Sequence, residues 1–180
     1  MKVMASEVLH VHYREGGPPS ATTRMGGPPS SWSISAAAEW PKCERCARPL
    51  RFVGQIVGPL ALANVALDAH EAVQVFACLD ESSQCPSWAA FVRKVDDRPA
   101  KSVAAPFAAF AMSTSPGHDD EHDKLGGTAR ATPATCAKCN HPMELLAQLA
   151  SDAVPSPFAD GTMFVHICPK KHRAAIQYVR

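Results

Sequence analysis

The cysteines of this chain fall into two groups that repeat the same order, and this pattern constrains the fold more than any other feature. Each group begins with a C-x-x-C pair, at 43–46 in the first and at 136–139 in the second. Shortly before each pair, a basic residue, a long apolar residue and two glycines occur in that order, as RMGG at 24–27 and KLGG at 124–127. Such parallel order indicates an internal duplication.

Each group ends with a second pair of candidate metal ligands. Cys78 follows the first C-x-x-C after 31 residues and is separated from Cys85 by six more. Cys168 follows the second C-x-x-C after 28 residues, and three residues separate it from His172. A zinc ribbon needs two such ligand pairs, which strands bring together around one tetrahedral ion. We therefore predict two zinc ions, held by the sets Cys43, Cys46, Cys78, Cys85 and Cys136, Cys139, Cys168, His172.

Two alternatives to these ligand sets stay open at this point. The thiols of either set could simply pack in the core, and His166, two residues before Cys168, is the main rival to His172 as the fourth ligand. Disulfides are a weaker interpretation, because the seven cysteines cannot form a closed set and a reducing cytosol opposes them. A site closed by four protein ligands is structural, whereas a catalytic zinc keeps one position for water.

The residues around the ligands alternate in hydrophobicity, as half-buried strands do. This alternation follows the first knuckle over 50–56 and precedes Cys78 over 73–77, and the second group repeats it. The segments at 89–93 and 174–180 fit either a return strand or a short helix. The predicted fold class is mainly β, with two tandem zinc-ribbon-like units packed into one compact protein.

The distribution of proline, glycine and charge suggests three parts. Residues 1–98 comprise a loop-rich N-terminal arm, anchored by Trp32 and Trp40, and the first unit. Residues 99–123 form an Ala-, Pro- and Ser-rich linker with an acidic, solvated tip, and residues 124–180 form the second unit.

The overall charge gives little support to a nucleic-acid partner. The chain has a formal net charge of +1 and no long apolar run or signal-peptide core, so we expect a cytoplasmic protein with no membrane partner. The basic residues near the knuckles are expected to offset the charge of the thiolates, although a nucleic-acid-binding stripe is the rival interpretation. These residues are Lys42, Arg45, Arg48, Lys138, Lys170 and Lys171.

No motif of an active site accompanies the cysteines. The ionisable cluster at 118–123 lacks the ligand spacing of an EF-hand and the H-E-x-x-H pattern, so it reads as a solvated acidic loop. The GGPPS repeats at 16–20 and 26–30 lack the Lys and Ser/Thr of a phosphate loop, and every cysteine already has a ligand role. We therefore predict a non-enzymatic protein.

The runs CERCARPLRFVGQIVGPLA and VQVFACLDESSQCPSWAAFVRKV resemble the zinc-binding region of the programmed cell death protein two family. The Gly-Gly elements and FADGTMFVHICPKKH resemble bacterial YwqG-like proteins. Unit two departs from the Gly-x-Pro pattern at Gly127-Thr128-Ala129. The resemblance implies a protein-interaction module, chaperone-like or neutralising towards another protein, as the eukaryotic relatives act on a small-subunit ribosomal protein. The alternative function is a nucleic-acid-associated zinc ribbon.

Overall fold

The computed structural model describes residues 8–16, 22–32, 40–78, 87–99, 108–120, 122–128, 134–150 and 161–179. All regular secondary structure in these ranges is β-strand, which confirms the mainly-β fold class. Within them, no helix is long and apolar enough to cross a membrane. The strands are β1 (Val8–Glu15), β2 (Arg24–Met25), β3 (Ser30–Trp32), β4 (Arg51–Val57), β5 (Leu60–Ala61), β6 (Ala66–Leu67), β7 (Glu71–Ala77), β8 (Trp88–Pro99), β9 (Phe110–Pro116), β10 (Lys124–Gly126), β11 (Glu144–Ala150), β12 (Thr162–Ile167) and β13 (Ala174–Val179).

Eleven of these strands form one sheet in which all ladders are antiparallel. Their order is β13-β12-β11-β10-β1-β9-β2-β4-β7-β8-β3, and β5 and β6 pair separately as a small hairpin. Strands β8 and β13 settle the ambiguity of the segments that follow the last ligands. Both segments are return strands, paired with β7 and β12.

The two halves of the chain have the same strand order in the sheet, as an internal duplication would predict. The strands β2-β4-β7-β8 of the first repeat correspond to β10-β11-β12-β13 of the second. A β-bulge occurs at the matching place in both repeats, between Phe52 and Gly54 in β4 and between Leu145 and Ala147 in β11. Bulges interrupt a ladder at a defined point. Their shared position shows that the repeats have the same strand geometry as well as similar sequences.

The strands that precede the two repeats, β1 and β9, each pair with a strand of the other half of the chain. Strand β1 pairs with β10 of the second repeat, and β9 pairs with β2 of the first. These two strands also pair with each other, with His12 opposite Ser113 at the middle of their ladder. The sequence predicts a linker over 99–123, but 110–116 instead form this central strand. The polar run Ser113-Thr114-Ser115 lacks the alternation that predicts a strand. The segment is a strand because its backbone pairs with β1 on one side and with β2 on the other. The unit boundaries at 98 and 123 stay predictions.

One hydrophobic core serves both repeats. It joins inward-facing residues such as Val53 and Val75 of the first repeat to Leu146 and Val165 of the second. The outer faces are covered as well, so β4, β7, β11 and β12 are buried almost throughout. The prediction of half-buried strands is wrong for these four. In the first repeat the second face of β4 and β7 packs in the cluster that contains Cys43 and Trp40.

The two halves also meet at the far strands of the sheet. Strand β8 contacts β13, although no ladder in the described chain joins them. The rings of Trp88 and Tyr178 stack across this contact with centroids 5.1 Å apart. Trp40 anchors its segment on the first unit, as predicted, since its indole donates to the Leu50 carbonyl at 2.6 Å. The side chain of Trp32 lies outside the described residues.

Candidate metal centres

The first C-x-x-C forms a tight knuckle held by backbone hydrogen bonds. The Cys43 N–H donates to the Arg48 carbonyl at 2.8 Å, and the Ala47 N–H donates to the Cys43 carbonyl at 2.8 Å. An isolated bridge pairs Lys42 with Pro49 below the turn. Ala47 adopts a left-handed conformation with φ of 58°. A turn of this kind brings the two side chains of a C-x-x-C pair to the same side of the loop.

The second C-x-x-C forms the same turn with the corresponding backbone hydrogen bonds. The Cys136 N–H donates to the His141 carbonyl at 2.9 Å, and the Asn140 N–H donates to the Cys136 carbonyl at 2.8 Å. Thr135 pairs with Pro142 in the matching bridge. Asn140 has a φ of 54°, and asparagine tolerates this left-handed region better than alanine does. The two knuckles are therefore the same structural unit.

Strand ends supply the third cysteine of each site. Cys78 follows β7 and Cys168 follows β12. The Cys78 N–H donates to the Ser87 carbonyl at 2.8 Å, and the Cys168 N–H donates to the Arg173 carbonyl at 2.9 Å. After Cys168 the chain turns sharply at Lys171, which has a φ of 56° and donates its N–H to the Cys168 carbonyl. This turn carries His172 back towards the second knuckle.

The structure brings three of the first four predicted ligands together. The sulfur atoms of Cys43, Cys46 and Cys78 lie within 4.8 Å of one another, and those of Cys46 and Cys78 are 3.7 Å apart. Cys85, the predicted fourth ligand, lies outside the described residues. Two sulfurs of a tetrahedral ion with metal–sulfur bonds of about 2.3 Å are separated by about 3.8 Å. The cluster is therefore spaced for a metal ion.

The second cluster contains all four predicted side chains. One ligand atom each from Cys136, Cys139, Cys168 and His172 lies within 4.8 Å of the others. The sulfurs of Cys139 and Cys168 are 3.5 Å apart. Both spacings suit a tetrahedral site. The two clusters could each bind a metal ion, and the role of each individual residue as a ligand stays a prediction.

Two groups of the second cluster, Cys136 and His172, have pKa values shifted towards the protonation state that binds metal. Although the His141 N–H bonds to Cys139, burial and the neighbouring thiols raise the pKa of Cys139. Burial opposes ionisation of Cys136, but hydrogen bonds from the Lys138 and Cys139 N–H groups and from neighbouring thiols lower its pKa to about 7. Burial, followed by nearby Lys138 and Lys170, lowers the pKa of His172. Metal binding requires thiolate sulfur and neutral imidazole. Both shifts therefore prepare these groups to coordinate.

The other two histidines near this cluster lie outside the four-residue group. A ring nitrogen of His141 is 2.8 Å from the Cys139 carbonyl, so His141 acts as a turn residue. His166 is 1% exposed, and burial lowers its pKa. Neither of its ring nitrogens has a hydrogen-bond partner in the described chain.

Lys171 has a role that the sequence does not predict. Its ammonium group donates to Asp68 at 2.7 Å and to Glu71 at 2.6 Å, both in the first repeat. These carboxylates, and not the thiolates, are its charge partners. The second metal knuckle is therefore tied to the other half of the protein.

A buried cation also changes the interpretation of the acidic segment 118–123. Lys124 is fully buried and donates to the side chain of Asp119 at 2.6 Å and to the carbonyls of Asp119 and Thr128. The Lys124 bond to this carboxylate, followed by the bond from the Thr128 N–H, lowers the pKa of Asp119 to about 2. Asp119 is exposed, as predicted for this loop, but it also forms an ion pair with a buried cation. The sequence feature that could have indicated a buried cation here is the matching basic residue of the two repeats, Arg24 and Lys124. Both side chains are buried.

No model of a known protein family matches the chain, and no curated protein matches its sequence.

Proposed function

We propose that the protein is a non-enzymatic zinc protein that acts as a protein-interaction module, with one structural zinc ion in each repeat. The donor set supports zinc. Thiolate and imidazole ligands at tetrahedral spacing are the usual partners of structural zinc, whereas magnesium and calcium select oxygen ligands. Four protein side chains around the second site leave no position for a substrate, so the ion stabilises the knuckle and the strands it joins.

The observation that carries the interaction role is an apolar seam between the repeats. It consists of partly buried side chains on the contacting strands β8 and β13: Trp88, Ala90, Val92, Ala174, Ile176 and Tyr178. Val179 is 42% exposed and is the one exposed large hydrophobic residue among those described, but it lies on the opposite face of β13 from Ala174, Ile176 and Tyr178. The apolar side chains at the seam suit a contact with a protein better than one with a phosphate backbone.

The alternative, a nucleic-acid-associated ribbon, has less support. A nucleic-acid interface depends on clustered Lys and Arg that neutralise phosphates. Lys171 is already engaged by two carboxylates, and the whole chain has a formal net charge of +1. The resemblance to the programmed cell death protein two family also favours a protein partner.

Metal content tests the zinc part of the proposal. Native mass spectrometry of the reduced protein should show two zinc ions per chain, and His172→Ala should weaken binding of one of them. His141→Ala is the matched control, because this histidine lies on the same knuckle but outside the ligand group. Folded protein with one or no metal ion would contradict the proposal.

Binding experiments test the interaction part. The tagged chain should retain a stoichiometric protein partner from its own host after nuclease treatment, and the purified partner should bind it in calorimetry. Ile176→Ser, at the seam, should weaken this binding, while Gln177→Ser, on the opposite and exposed face of β13, is the matched control. Retention that nuclease abolishes, or binding of a short duplex with a steep salt dependence, would favour the nucleic-acid alternative.

A further inference from the structure

The duplication places His166 where the first repeat has a phenylalanine. Phe76 lies between Phe52 and Ala89 in the ladders of the first repeat. His166 lies between Leu145 and Ala175 in the matching ladders of the second. Each residue precedes the third cysteine of its site by two positions on the strand. The two side chains therefore occupy equivalent positions on the strands that lead to the third cysteine of each cluster.

The surroundings of the two residues call for different side chains. Phe76 is fully buried in the cluster that contains Cys43, and its ring packs edge-on against Trp40 and Phe52. His166 is buried to the same degree, yet both ring nitrogens lack a partner among the described residues. A buried polar group without a hydrogen bond is destabilising, so an imidazole in place of an apolar ring needs an explanation.

The neighbouring metal centre offers that explanation. Ala175, directly opposite His166, packs against the cluster of Cys136, Met143 and Cys168. A neutral imidazole always carries one N–H donor. When the cysteines bind a metal they become thiolates, and a thiolate sulfur accepts a hydrogen bond much better than a thiol does.

We propose that His166 is a positioning residue that donates an N–H hydrogen bond to a metal-bound thiolate of the second centre. This inference rests on the proposed metal binding. The bond moves negative charge away from sulfur, which stabilises the metal–thiolate unit and lowers the nucleophilicity of that sulfur. The first centre has Phe76 instead and lacks this donor. The two centres therefore differ in reactivity although their knuckles are the same.

The substitution His166→Phe tests this by installing the residue of the first repeat. In the variant the affinity of the second centre for zinc should fall about 10- to 100-fold in chelator competition, whereas the affinity of the first centre should stay unchanged. His166→Gln, which keeps an N–H donor, should recover part of the affinity. An unchanged affinity of the second centre for zinc in His166→Phe would overturn the proposal.

Spectroscopy of substituted metals gives a readout that packing alone would not move. With ¹¹³Cd bound, an imidazole N–H of His166 should show scalar coupling to the metal through sulfur, and His166→Phe should abolish it. With Co²⁺ bound, the sulfur-to-metal charge-transfer band of the second centre should shift to lower energy in His166→Phe.

The controls separate this proposal from the one on which it rests. Wild-type protein without bound metal would refute both proposals, whereas two tightly bound ions with no coupling and no band shift would refute only the hydrogen bond. Loss of the second ion in His166→Phe and His166→Gln, with retention in His172→Ala, would make His166 a ligand and overturn the assignment.

Discussion

Replacing Asp119 with alanine tests whether the buried Lys124 depends on a charged partner. The Lys124 ammonium is fully buried, and among the described residues Asp119 is the carboxylate that forms an ion pair with it. Hydrogen bonds to charged groups contribute about 1.5–3 kcal/mol each, and loss of the Thr128 N–H bond to the same oxygen adds about 1 kcal/mol. The Asp119 side chain is 48% exposed, which reduces these values through solvent screening.

We therefore expect Asp119→Ala to lower the free energy of unfolding by about 2–3 kcal/mol, since two backbone carbonyls still accept from Lys124. For a chain of this size that corresponds to a decrease of roughly 4–12 °C in Tm. Urea unfolding of zinc-loaded protein, followed by tryptophan fluorescence and circular dichroism, measures the change.

A double-mutant cycle with Lys124→Met isolates the interaction. Methionine fills a similar space without the charge, so in this background Asp119→Ala should cost less than about 1 kcal/mol. An equal cost of Asp119→Ala in both backgrounds would refute the reasoning, because it would show that the carboxylate stabilises the loop without acting on the buried ammonium.

Three further predictions concern the same protein. The stability advantage of wild type over Asp119→Ala should be complete above about pH 4 and decline as the pH falls towards 2, because the native pKa of about 2 lies below the ordinary 3.8; pH-dependent urea titrations of both proteins measure this. Cys43→Ser should remove one zinc ion and unfold at least the first repeat, since structural zinc contributes on the order of 10 kcal/mol; metal analysis with thermal unfolding would contradict this by showing unchanged zinc and a native-like transition. Phe76→Ala should lower the free energy of unfolding by about 3–5 kcal/mol through the cavity beside Trp40 and Phe52, as denaturant titration would show, and a loss below 1 kcal/mol would mean that the site collapses.

The candidate sites could largely be predicted because they depend on local spacing. A C-x-x-C turn is closed by hydrogen bonds within six residues, as between Cys43 and Arg48, so its geometry is encoded in that segment. The fourth ligand of the second site was harder to predict, because two histidines, His166 and His172, lie within four residues of Cys168 in the sequence. The turn at Lys171 puts His172 in the cluster, and the strand keeps His166 out of it.

The sequence by itself predicted the parallel order of the two halves, the strands beside each knuckle and the grouping of the second set of ligands, because repeated spacing and short turns depend on no distant contact. Only the tertiary structure decided the pairing of β1 and β9 with strands of the other half of the chain, the burial of both strand faces and the ion pair of Lys171 with the first repeat. An antiparallel ladder can form on any free strand edge of suitable length, and the polar sequence of β9 does not specify which strands it pairs with. Which edges meet is settled when the two repeats bury one common core, and that choice depends on residues far apart in the chain.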